Sequence, residues 1–160
     1  MRIHVMAPLA AMLALGCGAP KGSPSDSAFA DVQRRGATVM GVDQYASQHV
    51  FESLADGGRI VLQRDDAADT TAIRTIREHM RDIVKDFREG DFAKPFQVHA
   101  REVPGTDVMA ARRAEITYSV EELPRGAAVR IVATTATAVA AIHDFLAFQR
   151  EDHRAGHMAH

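Results

Sequence analysis

His49-Val50-Phe51-Glu52-Ser53-Leu54-Ala55-Asp56-Gly57-Gly58-Arg59-Ile60-Val61-Leu62-Gln63-Arg64 is the stretch that decides the fold. Residues 49–54 alternate, Asp56-Gly57-Gly58 turns, and residues 59–64 return. Alternation at period two marks a half-buried strand, and an Asp-Gly pair between two such runs is a strong hairpin signal. Immediately downstream, Asp69-Thr70-Thr71 supplies a helix cap. Ile73, Ile76, Met80, Ile83, Val84 and Phe87 then recur at helical spacing, and Gly90 stops the run.

The pattern comes back once. Ala114 to Val120 alternates, with Ile116, Tyr118 and Val120 on one face. Leu123-Pro124-Arg125-Gly126 turns, Ala128 to Thr134 returns, and Thr135 to Thr137 supplies a cap. Val139, Ile142, Phe145, Leu146 and Gln149 mark the inward side of a second helix. Gly58-Arg59-Ile60-Val61 and Val129-Arg130-Ile131-Val132 are alike, as a duplicated unit would be. The order predicts an α+β domain over residues 31–154: two ββα units forming a four-stranded antiparallel sheet, with both helices packed on one face. The other face is left wet or pairs with another subunit. Residues 91–113, with Pro95, Pro104 and Gly105, lack a period and read as a loop with a helical turn; Pro104-Gly105-Thr106 is where a ligand would be expected to meet the surface. Residues 28–42 are compatible with a short helix followed by a strand at Val39-Met40-Gly41-Val42.

The amino-terminal segment has a different character. Arg2, an apolar run from Val5 to Leu15 and the small Gly16 precede Cys17, the only cysteine, and Gly18 to Ser27 is rich in Gly, Pro, Ser and Lys. The run falls short of the roughly 20 residues a membrane span needs. It reads as a signal peptide, residues 1–16, followed by a flexible tether, residues 17–30. Ala14-Leu15-Gly16-Cys17 resembles the cleavage box of bacterial lipoproteins, although the usual leucine stands one place early, as Leu13. The resemblance implies acylation (palmitate or a similar chain) at Cys17. Gly18 in place of aspartate implies a lipid anchor in the outer membrane of the cell envelope, facing the periplasm. With Cys17 acylated no thiol remains for a disulfide, so an ordinary core must hold the domain.

A second resemblance runs from Arg34-Arg35-Gly36 through Met40-Gly41-Val42-Asp43-Gln44 to His49-Val50-Phe51 and Asp56-Gly57-Gly58. It resumes at Ala141-Ile142-His143-Asp144-Phe145-Leu146 and ends at Asp152-His153. Over roughly residues 32–157 the chain resembles a group of small exported bacterial proteins, some of which carry an aspartate carbamoyltransferase label. That enzyme needs two domains and cationic anchors for carbamoyl phosphate, and one domain of this size does not supply them. The resemblance therefore implies a family and little chemistry.

Net charge is −2, with both signs interspersed, which gives no basic face for nucleic acid and no polybasic membrane patch. Histidine is the compositional oddity: of 8, only His4 lies in the leader. Imidazoles suit zinc, copper, iron and nickel, and the thioethers of Met40, Met80 and Met109 favour Cu(I). The expected metal ligands are His49, His79 and His153, with His99 and His157 as second choices. His153 shares a stripe with Ile142, Leu146 and Gln149, and His157 stands one turn further on. His79 flanks the first helix's stripe beside Ile76 and Ile83, His49 can face either helix, and His99 arrives from the link. Set against this, a flanking histidine usually packs its ring and wets its tip, and residues 155–160 read as a frayed tail. Asp65, Asp66 and Asp69 lack calcium-loop spacing and are better read as caps. Arg34-Arg35 and Arg112-Arg113 read as solvated surface.

There is no Gly-x-Ser-x-Gly elbow, no His-Glu-x-x-His helix and no phosphate loop. The leading expectation is a non-enzymatic, lipid-anchored envelope protein binding copper or zinc. The alternatives are an interaction protein docking an envelope partner without metal, and a small hydrolase or isomerase with a histidine base.

Overall fold

The computed structural model describes residues 24–155. Helix α1 (Pro24–Met40) leads through a short 3-10 turn into strands β1 (Ser47–Leu54) and β2 (Gly57–Arg64) and helix α2 (Thr70–Glu89). Two short helices follow, α3 (Ala93–His99) and α4 (Thr106–Ala111). A second unit closes the chain: β3 (Ile116–Leu123), β4 (Gly126–Ala133) and α5 (Ala136–Asp152). The sheet is antiparallel with order β1-β2-β4-β3, and α2 and α5 pack on it, as the two ββα units predict.

Each long helix is written into its sequence. The Asp69 carboxylate accepts the Ala72 N–H at 3.0 Å, and all six stripe residues from Ile73 to Phe87 are buried. Gly90 ends α2 in the left-handed region, φ 81. Thr135 caps α5 in the same way, accepting from Ala138 N. The helices are crossed over: α2 lies mainly on β3 and β4, and α5 mainly on β1 and β2. An arginine from each pins the edge strand beneath it. Arg88 donates to Tyr118 O at 2.6 Å, and Arg150 donates to Phe51 O at 2.8 Å. The central pairing sets Arg59 opposite Arg130, so the two look-alike stretches meet at the middle of the sheet. Like charges opposed this way repel. Each has its own acid, Glu121 at 2.9 Å from Arg59 and Asp56 at 2.5 Å from Arg130.

The core lies between sheet and helices, around Phe51, Leu62, Phe87, Tyr118, Ile131, Phe145 and Leu146. On the other face, Val50, Val61 and Ala128 form a small cluster, one residue from each of three paired strands. At Gly58 a side chain would run into Leu146 and the Glu52 carbonyl, which is how closely α5 approaches β2.

Three local expectations need correction. Residues 24–30, read as tether, are the first turns of α1. Val39 to Val42 is not a strand: α1 runs to Met40, and Gly41 turns the chain at φ 71. The link holds two helices, α3 and α4, where a loop with one turn was expected. The predicted signal peptide and Cys17 lie outside the described residues, as do His157 and His160. Among the described residues no helix is long and apolar enough to cross a membrane.

Candidate functional site

Strand parity sends His49 to the helix side of β1, together with Phe51. There its ring lies 5.2 Å from that of His153, nearly parallel at 19°. His153 closes α5 as its C-cap, its N–H donating to Gln149 O. The His99 ring stands edge-on to His153, with centroids 5.1 Å apart. It comes from the last position of α3, and α3 is tied to α1 by Arg35, whose Nε donates to Val98 O at 2.6 Å. His79, from the flank of α2, lines the same cavity. Four of the five expected ligands are thus gathered around one space; His157 is not described.

The cavity measures about 70 Å³, room for a few waters or one small ligand and well below the few hundred Å³ of an ordinary organic-ligand pocket. Its walls are apolar, with Phe51, Phe87 and Phe145 among the aromatics and Met40 and Met80 supplying sulfur. Besides the imidazoles and the Gln149 amide, the only polar side chain on the lining among the described residues is Lys94. Lys94 is ion-paired with Asp86.

Burial dominates the electrostatics. Desolvation pushes His49 down to about 4, with His79 nearby adding to the effect. Burial also takes His79 to about 4; the Lys94 ammonium pushes the same way, against Asp82 and Asp86. His153 falls to about 2, through burial first and then its neighbours His49 and His99. All three are neutral imidazoles near pH 7, the form that ligates metal. His49 Nε2 and His153 Nδ1 are buried with no hydrogen-bond partner. A buried polar atom without a partner is costly, about 1–3 kcal/mol, and uncommon in folded proteins.

His99 is held differently. Its Nδ1 lies 2.5 Å from Asp152 Oδ2 and its Nε2 lies 2.8 Å from Gln149 Oε1. Asp152 also accepts from Arg101 at 2.7 Å, and the Arg101 guanidinium sits 4.6 Å over the Phe148 ring. With both nitrogens engaged, His99 has no free lone pair to offer a metal. The clamp of Gln149 and Asp152 was not foreseen as part of the site. The available signal was their i, i+3 spacing on the inward side of α5.

Other expectations resolve simply. α5 ends at Asp152 and the chain turns at Arg154, φ 48, so no continuous helix carries His153 on towards His157. Among the described residues no group of three or more His, Cys, Asp or Glu is arranged to hold a metal ion. His143 lies elsewhere, donating from Nε2 to Leu54 O at 2.8 Å. Met109 is a fully buried core residue away from the cavity lining. Asp66 accepts from Ala68 N at 2.8 Å, a turn-forming contact. Arg34 pairs with Asp31 and Arg112 with Glu115. Gly105, expected near a ligand, is instead pressed against the α5 backbone at Ala141. No family model, no curated protein and no solved structure matches this chain.

Proposed function

We propose that the protein is a non-enzymatic binding module, tethered to the cell envelope through Cys17, that takes a transition-metal ion into the histidine-lined cavity. One observation carries the reading: His49 Nε2 and His153 Nδ1, from segments distant in the chain, are buried at the same cavity with nothing to bond to. Neutral imidazole nitrogens of this kind are metal donors. The two rings are direct neighbours. Two nitrogens each about 2 Å from one metal are at most ~4 Å apart, and these rings have centroids 5.2 Å apart. A shared ion requires the two rings to turn until their nitrogens close to that separation.

A catalytic reading has less support. His99 with Asp152 has the look of an oriented general base. Its other nitrogen, however, meets the Gln149 amide and no nucleophile. The test is metal analysis of the protein purified without an affinity tag. About one equivalent of a bound first-row transition ion is expected, and less than about a tenth, with no affinity tighter than micromolar, would overturn the reading. Incorporation of labelled palmitate that is lost on Cys17→Ser tests the anchor separately.

A further inference from the structure

Resting on that reading of the cavity, we infer that the ion it accepts is monovalent copper, held between His49 Nε2 and His153 Nδ1 beside the thioethers of Met40 and Met80. Charge is the first argument. Among the described residues the lining contains no aspartate or glutamate, and its one charged side chain is the Lys94 ammonium. Of the nearby acids, Asp86 is paired with Lys94, and Asp152 with His99 and Arg101; Asp82 acts on His79 from off the lining. An ion entering this apolar space meets neutral donors alone. The Born cost of transferring an ion grows as the square of its charge, so a divalent ion faces about four times the penalty of a monovalent one of similar size. Nothing on the walls offsets it.

Donor number and softness point the same way. Among the described residues two fully buried nitrogens on the lining have no partner, His79 lines the cavity as a further imidazole, and His99 is engaged through both of its own nitrogens. Zinc in a protein site takes four donors in a tetrahedron, which this cavity does not present. A d¹⁰ monovalent ion is satisfied by two, and thioether sulfur selects it over divalent ions. Met80 is buried and Met40 partly so, and both lie on the lining.

The experiment titrates the tag-free full-length chain with Cu(I) under anaerobic reducing conditions, against a chromogenic Cu(I) chelator. Zn(II) and Cu(II) are titrated in parallel. One Cu(I) per chain is expected, with an affinity at least about 1000-fold above that for Zn(II). X-ray absorption of the loaded protein should show two nitrogen neighbours, with or without sulfur, and a low-coordinate Cu(I) edge. His49→Leu and His153→Leu should each weaken Cu(I) binding by about 100-fold or more, whereas His143→Gln and the tail pair His157→Ala with His160→Ala should leave it unchanged. Zinc bound as tightly as Cu(I) would overturn the monovalent assignment while leaving a metal site standing. Binding of no ion would overturn both. Should the tail substitutions alone abolish uptake, or the absorption spectrum show four nitrogen or oxygen neighbours, the assignment fails even if a leucine variant misfolds.

Discussion

The third residue of β1 is His49 and the third residue of β3 is Tyr118. Both strands lie at sheet edges, both residues face the helices, and each sits beneath the helix of the opposite unit. Around Tyr118 the space is filled: the residue is 0% exposed, with Phe87 edge-on at 5.8 Å. Its hydroxyl has no partner, and burial raises its pKa. Around His49 the equivalent space holds a second imidazole and a cavity. One scaffold position therefore has two outcomes. The phenol is neutral at any physiological pH and its burial is a fixed cost. The imidazoles are basic, so their burial is a cost that depends on the proton.

Acid should therefore break the histidine end first, with the largest effect predicted here. Well above the unfolded value of 6.5 the three rings are neutral in both states and contribute no pH dependence. Below it the unfolded chain takes up protons that the folded chain refuses, and stability falls as pH drops towards the folded values, about 4 for His49 and His79 and about 2 for His153. Between pH 6.5 and 4 the loss should be roughly 8 kcal/mol, comparable to the whole stability of a small domain. Denaturant midpoints measured across that range check it. A His49→Phe, His153→Leu double variant should remove most of the slope and leave the His79 share; a native midpoint unchanged down to pH 4.5 would mean the rings are not buried as described.

The next test concerns how closely each helix sits. The second residue of β2 is Gly58 and its counterpart in β4 is Ala127. A methyl group exists at one and has no room at the other, where Leu146 and the Glu52 carbonyl intrude. Gly58→Ala should cost about 1–3 kcal/mol by overpacking. Ala127→Gly should cost about 1 kcal/mol or somewhat more, through a lost methyl and added backbone freedom. Thermal unfolding of the pair decides whether α5 really lies nearer the sheet than α2 does.

A smaller effect is expected at the clamp. Asp152→Asn replaces charge-assisted contacts to His99 and Arg101 with neutral ones and should cost about 1–2 kcal/mol. Its sharper signature is the His99 ring resonance in NMR, which should lose its fixed environment while His49 and His153 keep theirs. Smallest of all, Tyr118→Phe removes a hydroxyl that has no partner, so stability should change by less than about 1 kcal/mol, or rise. A loss well beyond that would reveal a bond to the hydroxyl.

The hairpins and long helices were legible because each carries a period: alternation in β1 to β4, and a stripe from Ile73 to Phe87 that is buried throughout. Helices α3 and α4, of 7 and 6 residues, are too short to display one, and Phe92 and Gly105 give them no side-chain cap to read. The start of α1 was masked by a composition that looks like linker. For the site, the inward stripes already pointed His153 and His79 at the core. What composition and spacing could not supply was the landing of α3 on the end of α5, which puts His99 against Asp152 across 53 residues of chain. That contact turns one expected ligand into a fixed structural ring, and it leaves His49 and His153 as the pair with free nitrogens.

The exchanged helices have a consequence for how the chain comes together. Because α2 shields mainly the later hairpin and α5 mainly the earlier one, neither ββα half can hide its own oily side, and each should be a poor folder by itself. Cleaved between Ala100 and Pro104, the molecule would become two fragments that regain shape only by finding one another, like halves of a clasp.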